Sequence, residues 1–225
     1  MLEKIGPEIW GCEATIWFGG VPMPHRMTVV RLKGSELFVH SPTRLDGALR
    51  DALASLGRVT SIVAPSWWHD LYLREYTAAY PSAGLYGPPA LVRSLRTVRF
   101  AGVLGVDPPP WAGEIDQLLV DGMRLFLDEY VFYHRASRSC IVADLAFYLR
   151  ADAPWYYRWP FRFIGAYPRC GLPWFFRLAP KSRSHLRATL RRILEWDFDR
   201  LIVGHGGVAE NGKVALRDAY RWLHI

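Results

Sequence analysis

Residues 36 to 64 contain a strand, a helix and a second strand, and this order constrains the fold more than any other feature of the sequence. The runs Glu36 to His40 and Val59 to Ala64 are short and apolar. Between them, Arg44 to Leu56 repeats apolar residues at the spacing of a helix with one buried face and ends at Gly57. Two strands joined by a connection of about a dozen residues pair in parallel. The sequence therefore predicts an α/β fold, with a sheet covered by helices.

Further strands and helices extend this pattern in both directions. The run Met27 to Leu32 and the strand at 36–40 are separated by Lys33-Gly34-Ser35, which predicts a hairpin, and an earlier run, Glu8 to Phe18, is expected to pair with them. Two blocks of strands, each with helices, indicate layered sheets in one domain over residues 1–225. The remaining predictions are strands at 84–86, 117–120, 123–127, 130–134, 140–143 and 200–203, helices at 71–80 and 213–223, a helix capped by Ser182 or Ser184 and running to Trp196, a helix starting at Pro88-Pro89, and a loop at 101–113.

Composition excludes several classes of protein. The net charge of +7 over 225 residues is modest and scattered, so nucleic acid is not the favoured partner. The cysteines Cys12, Cys140 and Cys170 are widely spaced, which argues against a disulfide framework and against a thiolate zinc site. The sequence has no G-x-S-x-G elbow, no phosphate-binding G-x-x-x-x-G-K-[ST] loop and no membrane-spanning apolar run, and its first seven residues lack the long apolar region expected of a signal peptide. We expect a cytoplasmic protein in a reducing compartment.

Four apolar strands run into an imidazole or a carboxylate. His40 ends the strand at 36–40, His69-Asp70 follows the strand at 59–64, Asp144 follows Ala143, and His205 follows the strand at 200–203. In open α/β sheets, functional groups gather beyond the carboxyl ends of strands, where the loops converge. Imidazole and carboxylate together suit zinc, iron or manganese with one face open to water. The alternative for each histidine is a hydrogen-bonded core or loop residue.

These segments resemble the metallo-β-lactamase-like superfamily, and more closely its DUF4336-type branch. The resemblance is carried by Arg31 to Pro42, Val63 to Leu73, Phe132 to Asp144 and Val203 to Gly206. It implies an αββα sandwich of two mixed β-sheets flanked by helices, with a metal site at one edge. In the superfamily's last motif, G-H-G, the histidine is a metal ligand, and His205 matches it. Asp144 matches the strand-end aspartate that binds one metal or bridges two.

The central H-x-H-x-D-H motif of the superfamily is altered in this chain. Pro65 and Trp67 stand where its first two histidines belong, and His69-Asp70 replaces its Asp-His pair in reversed order. A further histidine ligand normally lies ahead of the strand at 130–133, where this chain has Leu125 to Asp128. His134, after that strand, is interpreted as a surface or turn residue.

The remaining donors are enough for one metal ion and too few for the usual pair of metals. We predict a mononuclear site with one divalent ion, zinc first and iron or manganese as alternatives. Whichever carboxylate is not bound to the metal would orient or deprotonate a water molecule that attacks an ester, lactone, thioester or phosphoester of a small-molecule substrate. The alternative is a non-catalytic protein of the same fold that binds a ligand or partner. The predicted metal ligands are His40, His69, Asp70, Asp144 and His205, with Asp70 and Asp144 as the catalytic residues.

An aromatic segment follows Asp144 directly. Residues 154–178 contain ten aromatic side chains interleaved with Arg158, Arg162, Arg169 and Arg177. The favoured interpretation is an insertion or lid, at about 152–180, that packs over the site. Peripheral membrane contact, a stacking surface for bases and a homodimer interface are the alternatives.

Overall fold

The structure is a computed structural model that describes residues 1–124 and 128–225. The strands are β1 Glu3–Gly6, β2 Ile9–Phe18, β3 Val21–Leu32, β4 Glu36–His40, β5 Arg58–Val63, β6 Gly84–Gly87, β7 Gly102–Val103, β8 Ile115–Leu119, β9 Tyr130–His134, β10 Ser139–Ile141, β11 Phe147–Tyr148, β12 Arg200–Ile202, β13 His205–Gly206 and β14 Val208–Ala209. The helices are α1 Gly47–Leu56, α2 Leu73–Ala79, α3 Pro89–Ser94, α4 Trp155–Phe163, α5 Arg183–Glu195 and α6 Gly212–Ala219.

The first sheet contains β1 to β7 in sequence order. Its first four strands are antiparallel, whereas β4, β5, β6 and β7 run parallel to one another. The predicted strand–helix–strand unit is confirmed, because α1 connects the parallel strands β4 and β5. Asp46 caps α1 by accepting the backbone N–H of Leu49 at 2.7 Å, and Gly57 ends it.

The second sheet has the order β14-β12-β10-β9-β8. Its one parallel pair is β10 with β12, and the other pairs are antiparallel. A short parallel pair of β11 and β13 lies beside it. Both large sheets are therefore mixed, as the resemblance implied.

The two sheets face each other across an aromatic core. Phe38 of the first sheet and Phe132 of the second are fully buried, and Trp111 lies with its ring centroid 4.8 Å from that of Phe38 and 6.3 Å from that of Phe132. Helices α1, α2 and α3 cover the outer face of the first sheet, while α5 and α6 cover that of the second. The αββα sandwich is confirmed.

Several element predictions require correction. Strand β3 begins at Val21 instead of Met27, because Pro22 and Pro24 are tolerated in a part of β3 that pairs only with β2, whereas β4 pairs from Thr28 onwards. The predicted loop at 101–113 includes the short strand β7. The two-residue strands β11, β13 and β14 and the helix α4 have no counterpart among the predicted elements. The predicted strand at 123–127 lies partly outside the described residues, and Met123 and Arg124 are not in a strand.

Two further findings concern the described ranges of the chain. No helix there is long and apolar enough to cross a membrane. Within the same ranges Cys12, Cys140 and Cys170 are buried free thiols, in agreement with the sequence analysis. The single domain over 1–225 and the lid at about 152–180 stay predictions.

Trp111 provides a test of the core between the sheets. Trp111→Ala should lower the free energy of unfolding by about 3–5 kcal/mol, because it opens a cavity beside Phe38, Phe132 and Tyr86. Trp111→Phe should cost clearly less, because it keeps a ring and removes an indole N–H that has no partner among the described residues. Urea unfolding followed by circular dichroism measures both. Trp17→Ala, at a side chain that is 71% exposed, is the control. Equal losses for all three variants would contradict this account of the core.

Candidate metal centre

The carboxyl ends of the parallel strands bring the polar side chains of both sheets to one edge of the sandwich. His40 is the last residue of β4, and the chain leaving its parallel partner β5 reaches His69. Asp144 follows β10, and His205 follows its parallel partner β12. Because each pair of strands points the same way, these residues approach each other although they are far apart in the sequence.

Three of the predicted donors form a compact group. One ligand atom from each of His69, Asp144 and His205 lies within 4.8 Å of the others. His69 Nε2 is 3.5 Å from Asp144 Oδ2, and His205 Nε2 is 3.1 Å from Asp144 Oδ1. The imidazoles are almost completely buried, and the Asp144 side chain is 12% exposed. This His/Asp/His triad could hold a single metal ion.

Strand β3 orients His205. His205 Nδ1 is 2.9 Å from the carbonyl oxygen of Pro24, and the backbone N–H of Arg26 donates to the carbonyl of Gly204 at 2.8 Å. The two glycines beside His205 have distinct steric roles. A Cβ on Gly204 would lie 2.9 Å from Ala143 Cα, and Gly206 has a φ of +129° with no room for a side chain beside the carbonyl of Tyr148. The G-H-G sequence thus lets His205 approach Asp144 closely.

Ser41 orients His69. Its Oγ lies 2.5 Å from His69 Nδ1, so that Nε2 is the atom that faces Asp144. Ser41 directly follows β4 and has a φ of +54°, in the left-handed region that a serine seldom occupies. Such strain is typical of functional sites, where the surrounding structure maintains it.

The hydrogen-bonding partners indicate that a cation fits between the imidazoles and the carboxylate. The Pro24 carbonyl can only accept, so His205 Nδ1 must carry a proton, and in a neutral ring Nε2 then bears a lone pair. That lone pair faces a carboxylate oxygen at 3.1 Å, which is repulsive unless a proton or a metal ion lies between the two atoms. Donors on a tetrahedral zinc ion with bonds of about 2.1 Å are about 3.4 Å apart. The separations of 3.1 and 3.5 Å are close to this value and join each imidazole to a different oxygen of Asp144, and with one atom taken from each residue all three donors lie within 4.8 Å of one another.

Asp144 is held in place by two other residues. Ser66 Oγ donates to Asp144 Oδ2 at 3.2 Å, and the Glu129 carboxylate accepts the backbone N–H groups of Asp144 and Ala143 at 2.8 and 2.6 Å. Burial, together with the charge of Asp144, raises the pKa of Glu129 to about 8. Burial would also raise the pKa of Asp144, but the imidazoles of His69 and His205 outweigh it and hold that pKa well below its usual range.

The sequence analysis missed Glu129 and His25. The His25 ring centroid is 5.3 Å from that of His69 and 6.1 Å from that of His205. Burial, followed by the nearby His69 and His205, lowers the pKa of His25 to about 3, so it packs as a neutral ring. His25 lies in the interior of β3, so the rule that functional groups follow strand ends did not identify it. Glu129 directly precedes β9, and an acidic residue before a strand is too common to be a signal.

Two predicted ligands lie outside the triad. His40 is fully buried, with its ring centroid 5.3 Å from that of Phe132, and neither of its ring nitrogens has a partner in the part of the chain that the structure describes. Asp70 is half-buried and is not among the grouped donors, and the catalytic roles assigned to Asp70 and Asp144 stay predictions.

The positions of the missing superfamily histidines contribute no side-chain donor to this group. Trp67 is 45% exposed, and Pro65 uses its carbonyl to accept the backbone N–H of Tyr130. The position of the further histidine ligand was assigned to Leu125 to Asp128, of which residues 125–127 lie outside the described residues. His134 does stand before a turn, but it is a buried residue and not a surface one, with Nδ1 2.8 Å from Ser137 Oγ.

Glu129→Ala should lower the free energy of unfolding by about 2–5 kcal/mol, because it leaves two buried backbone N–H groups without an acceptor. Glu114→Ala is the matched control, since Glu114 also accepts a backbone N–H, that of Lys33, but at the exposed surface. The control should lose less than about 1 kcal/mol in urea unfolding. A Glu129→Ala loss as small as that of the control would contradict the proposed anchoring of Asp144.

His134 should make stability depend on pH. Burial lowers its pKa to about 4, against the weaker opposing effect of Glu8, whereas an unfolded histidine titrates near 6.5. Above pH 6.5 the ring is neutral in both states, and as the pH falls from 6.5 to 4 only the unfolded chain takes up a proton, so stability is lost. His134→Asn should reduce the loss of unfolding free energy between about pH 7.5 and 4.5 by about 1–2 kcal/mol. The exposed His224, exchanged in the same way, is the control, and identical pH profiles for wild type and His134→Asn would contradict this prediction.

Comparison with known proteins identifies the class of fold. Over 100% of its length the chain superposes on the DIM-1 metallo-β-lactamase, covering 96% of that chain with a TM-score of 0.68 and 15% identity. It matches a metallo-β-lactamase from Pontibacter korlensis with a TM-score of 0.66 and 11% identity, covering 100% of this chain and 98% of that one. It also matches the Flv1 flavodiiron core from Synechocystis sp. PCC6803 with a TM-score of 0.68 and 9% identity, covering 100% of this chain and 60% of that one. The protein therefore has the metallo-β-lactamase fold.

Residues 7–161 match the family model described as Domain of unknown function (DUF4336). The chain belongs to this family, as the resemblance of its motifs indicated. No curated protein matches the sequence.

Proposed function

We propose that this protein is a metal-dependent hydrolase with one divalent ion held by His69, Asp144 and His205. The observation that carries the proposal is the arrangement of two buried Nε2 atoms against the two oxygens of one buried carboxylate, at 3.1 and 3.5 Å. Three protein donors with coordination positions left over are typical of catalytic zinc sites, whereas structural zinc sites use four. Zinc is the first candidate, with iron and manganese as alternatives.

A bound divalent ion would supply Lewis-acid activation of water near neutral pH. The chain itself supplies the orientation of the donors. The Pro24 carbonyl and the Ser41 hydroxyl direct the two Nε2 atoms, and Ser66 and Glu129 hold Asp144. Glu129 acts as a positioning residue, because both of its oxygens are occupied by backbone N–H groups.

Asp70 is the carboxylate that we propose as the proton acceptor. Asp144 faces both imidazoles and is a ligand of the proposed metal. Asp70, which follows His69 in the sequence, is therefore the second carboxylate of the predicted pair. A base of this kind accepts the proton of the attacking water.

A small cavity lies beside Asp144. Its volume of about 10 Å³ has room for a single water molecule and not for a substrate group, so it does not choose among a carboxylic ester, a lactone, a thioester and a phosphoester. Besides Glu129 and Asp144, the cavity is lined by Val120, Met123, Leu145, Leu172, Phe176 and Tyr220.

The test measures metal content and turnover on the same samples. Protein purified without chelator should contain about one equivalent of metal, and both His205→Ala and Asp144→Asn should lower zinc affinity at least about 100-fold in calorimetric titrations. His134→Asn, a buried histidine away from the triad, is the matched control and should keep full affinity. His40→Leu should also keep it, whereas loss of zinc in a folded His40→Leu protein would overturn the three-residue donor set.

Hydrolysis of four model substrates, one carboxylic ester, one lactone, one thioester and one phosphoester, separates the two function classes. The proposal expects turnover of at least one of them by the zinc-loaded protein and loss of that turnover in Asp144→Asn. Asp70→Asn should keep zinc but lower kcat. Stoichiometric zinc without turnover of any substrate would favour the non-catalytic, ligand-binding alternative, and absence of metal binding would overturn both the site and the activity.

A further inference from the structure

Large apolar side chains are exposed on a helix and on a hairpin near the candidate metal centre. Trp155, Trp159 and Phe163 of α4 are 70%, 73% and 71% exposed. Trp17 and Phe18, at the turn between β2 and β3, are 71% and 60% exposed, and Trp68 is 51% exposed. We call these six residues the aromatic face. Exposed apolar surface of this extent marks an interaction site in most proteins.

Helix α4 is amphipathic in a way that directs three aromatic rings outward. Tyr157 and Phe161 are buried, and the Phe161 ring centroid lies 6.0 Å from that of Phe147. The outward residues follow at positions 155, 159 and 163, one turn apart, so they form one stripe along the helix. The segment therefore packs on its inner side, as its favoured interpretation requires, while its outer side lacks a partner among the described residues.

The hairpin and the buried side of helix α4 pack against each other. The hydroxyl of Thr15 on β2 hydrogen-bonds to that of Tyr157 on α4, and Met23 of β3 packs against the buried side of the same helix. At the hairpin turn, the Phe18 and Trp68 rings meet edge to face at 6.1 Å. The aromatic face thus combines residues of two elements in contact, α4 and the β2–β3 hairpin, with Trp68, the residue that precedes His69.

The charged side chains of the segment that contains α4 are all basic. In the sequence two acidic residues flank the aromatic face: Asp152, which pairs with Arg150 at 3.0 Å, and Asp70, two residues after Trp68. No Asp or Glu occurs from residue 153 to residue 194, whereas arginines recur, with Arg158 and Arg162 on α4 itself. Tryptophan and phenylalanine with arginine on an interfacial helix are the composition of segments that lie in the headgroup region of a membrane. Basic residues there are attracted to anionic lipids by about 1 kcal/mol each.

We propose that the aromatic face binds the surface of an anionic lipid bilayer, with α4 in the plane of the interface and the β2–β3 turn inserted beside it. A second copy of the chain fits less well, because a symmetric contact would bring the arginines of both copies together. A single-stranded nucleic acid also fits less well, since proteins bind it along grooves, whereas these rings project from a helix and a turn. The proposal does not depend on catalysis, because lipid binding needs neither metal nor substrate.

Co-sedimentation with vesicles tests the proposal on the chain of 225 residues. Vesicles of phosphatidylcholine with about 30% phosphatidylglycerol should bind the protein, and vesicles of pure phosphatidylcholine should bind it at least about tenfold more weakly. Raising NaCl from about 0.05 M to about 0.5 M should weaken binding to the anionic vesicles. Equal binding to both kinds of vesicle would overturn the role assigned to the arginines.

Paired variants separate the aromatic and basic contributions. Trp159→Ser with Phe163→Ser should lower the vesicle partition coefficient at least about tenfold, and Arg158→Gln with Arg162→Gln should remove most of the preference for anionic vesicles. Val106→Ser with Val214→Ser is the matched control, at side chains that are 70% and 58% exposed outside the aromatic face. Because all the exchanged aromatic side chains are exposed, thermal unfolding should be unchanged.

Two further outcomes identify another occupant. In the first, wild type does not bind vesicles but is a dimer in light scattering, and the Trp159→Ser, Phe163→Ser protein is a monomer. This outcome would overturn the proposal. In the second, wild type does not bind vesicles but binds a single-stranded oligonucleotide, and the Trp159→Ser, Phe163→Ser protein does not. This outcome would overturn the proposal equally. Unchanged vesicle binding in the Trp159→Ser, Phe163→Ser protein would also overturn it.

Discussion

Burial of the Asp144 carboxylate at the edge of the sandwich sets the requirements that the surrounding structure meets. A carboxylate removed from water must be hydrogen-bonded and paired with positive charge. Its partners come from two separate parts of the chain, Ser66 and His69 after β5 and His205 after β12, and Glu129, before β9, holds the backbone N–H of Asp144. The site therefore forms only when both sheets are folded and stacked in register, and neither sheet contains it alone.

The regular part of the fold could be predicted because it depends on local patterns. Apolar spacing and a terminal glycine identified α1, and β-branched runs identified β4, β5 and β9 close to their observed bounds. The short strands β11 and β13 could not be predicted, because they exist only where two loops meet beside the metal centre. Helix α4 was missed because Pro160 and a run of aromatic residues lack the usual helical pattern, and its stability comes from Tyr157 and Phe161 packing against Phe147.

The candidate site was predictable to the extent that strand ends converge. The sequence identified His69, Asp144 and His205, which share the edge reached by parallel strands of both sheets. It also pointed to His40, which follows the same rule but packs against Phe132 inside the sandwich, because a strand end determines where a residue lies and not where its side chain points. The tautomers of the two ligands depend on Pro24 and Ser41, whose positions follow from tertiary contacts. No local pattern encodes such contacts.

The energetics of this edge favour a bound ligand over a purely structural role. Well-packed apolar side chains of similar volume are often as stabilising as buried charged groups, or more so. Here the protein keeps three histidines, His25, His69 and His205, around a buried carboxylate, and it maintains Ser41 in a strained backbone conformation to orient one of them. His205 Nε2 lies 3.1 Å from Asp144 Oδ1, a contact that requires a proton or a metal ion between the two atoms. The metal ion that we propose would replace that proton by coordination, and it would explain why a polar cluster occupies a position where stability alone would select an apolar one.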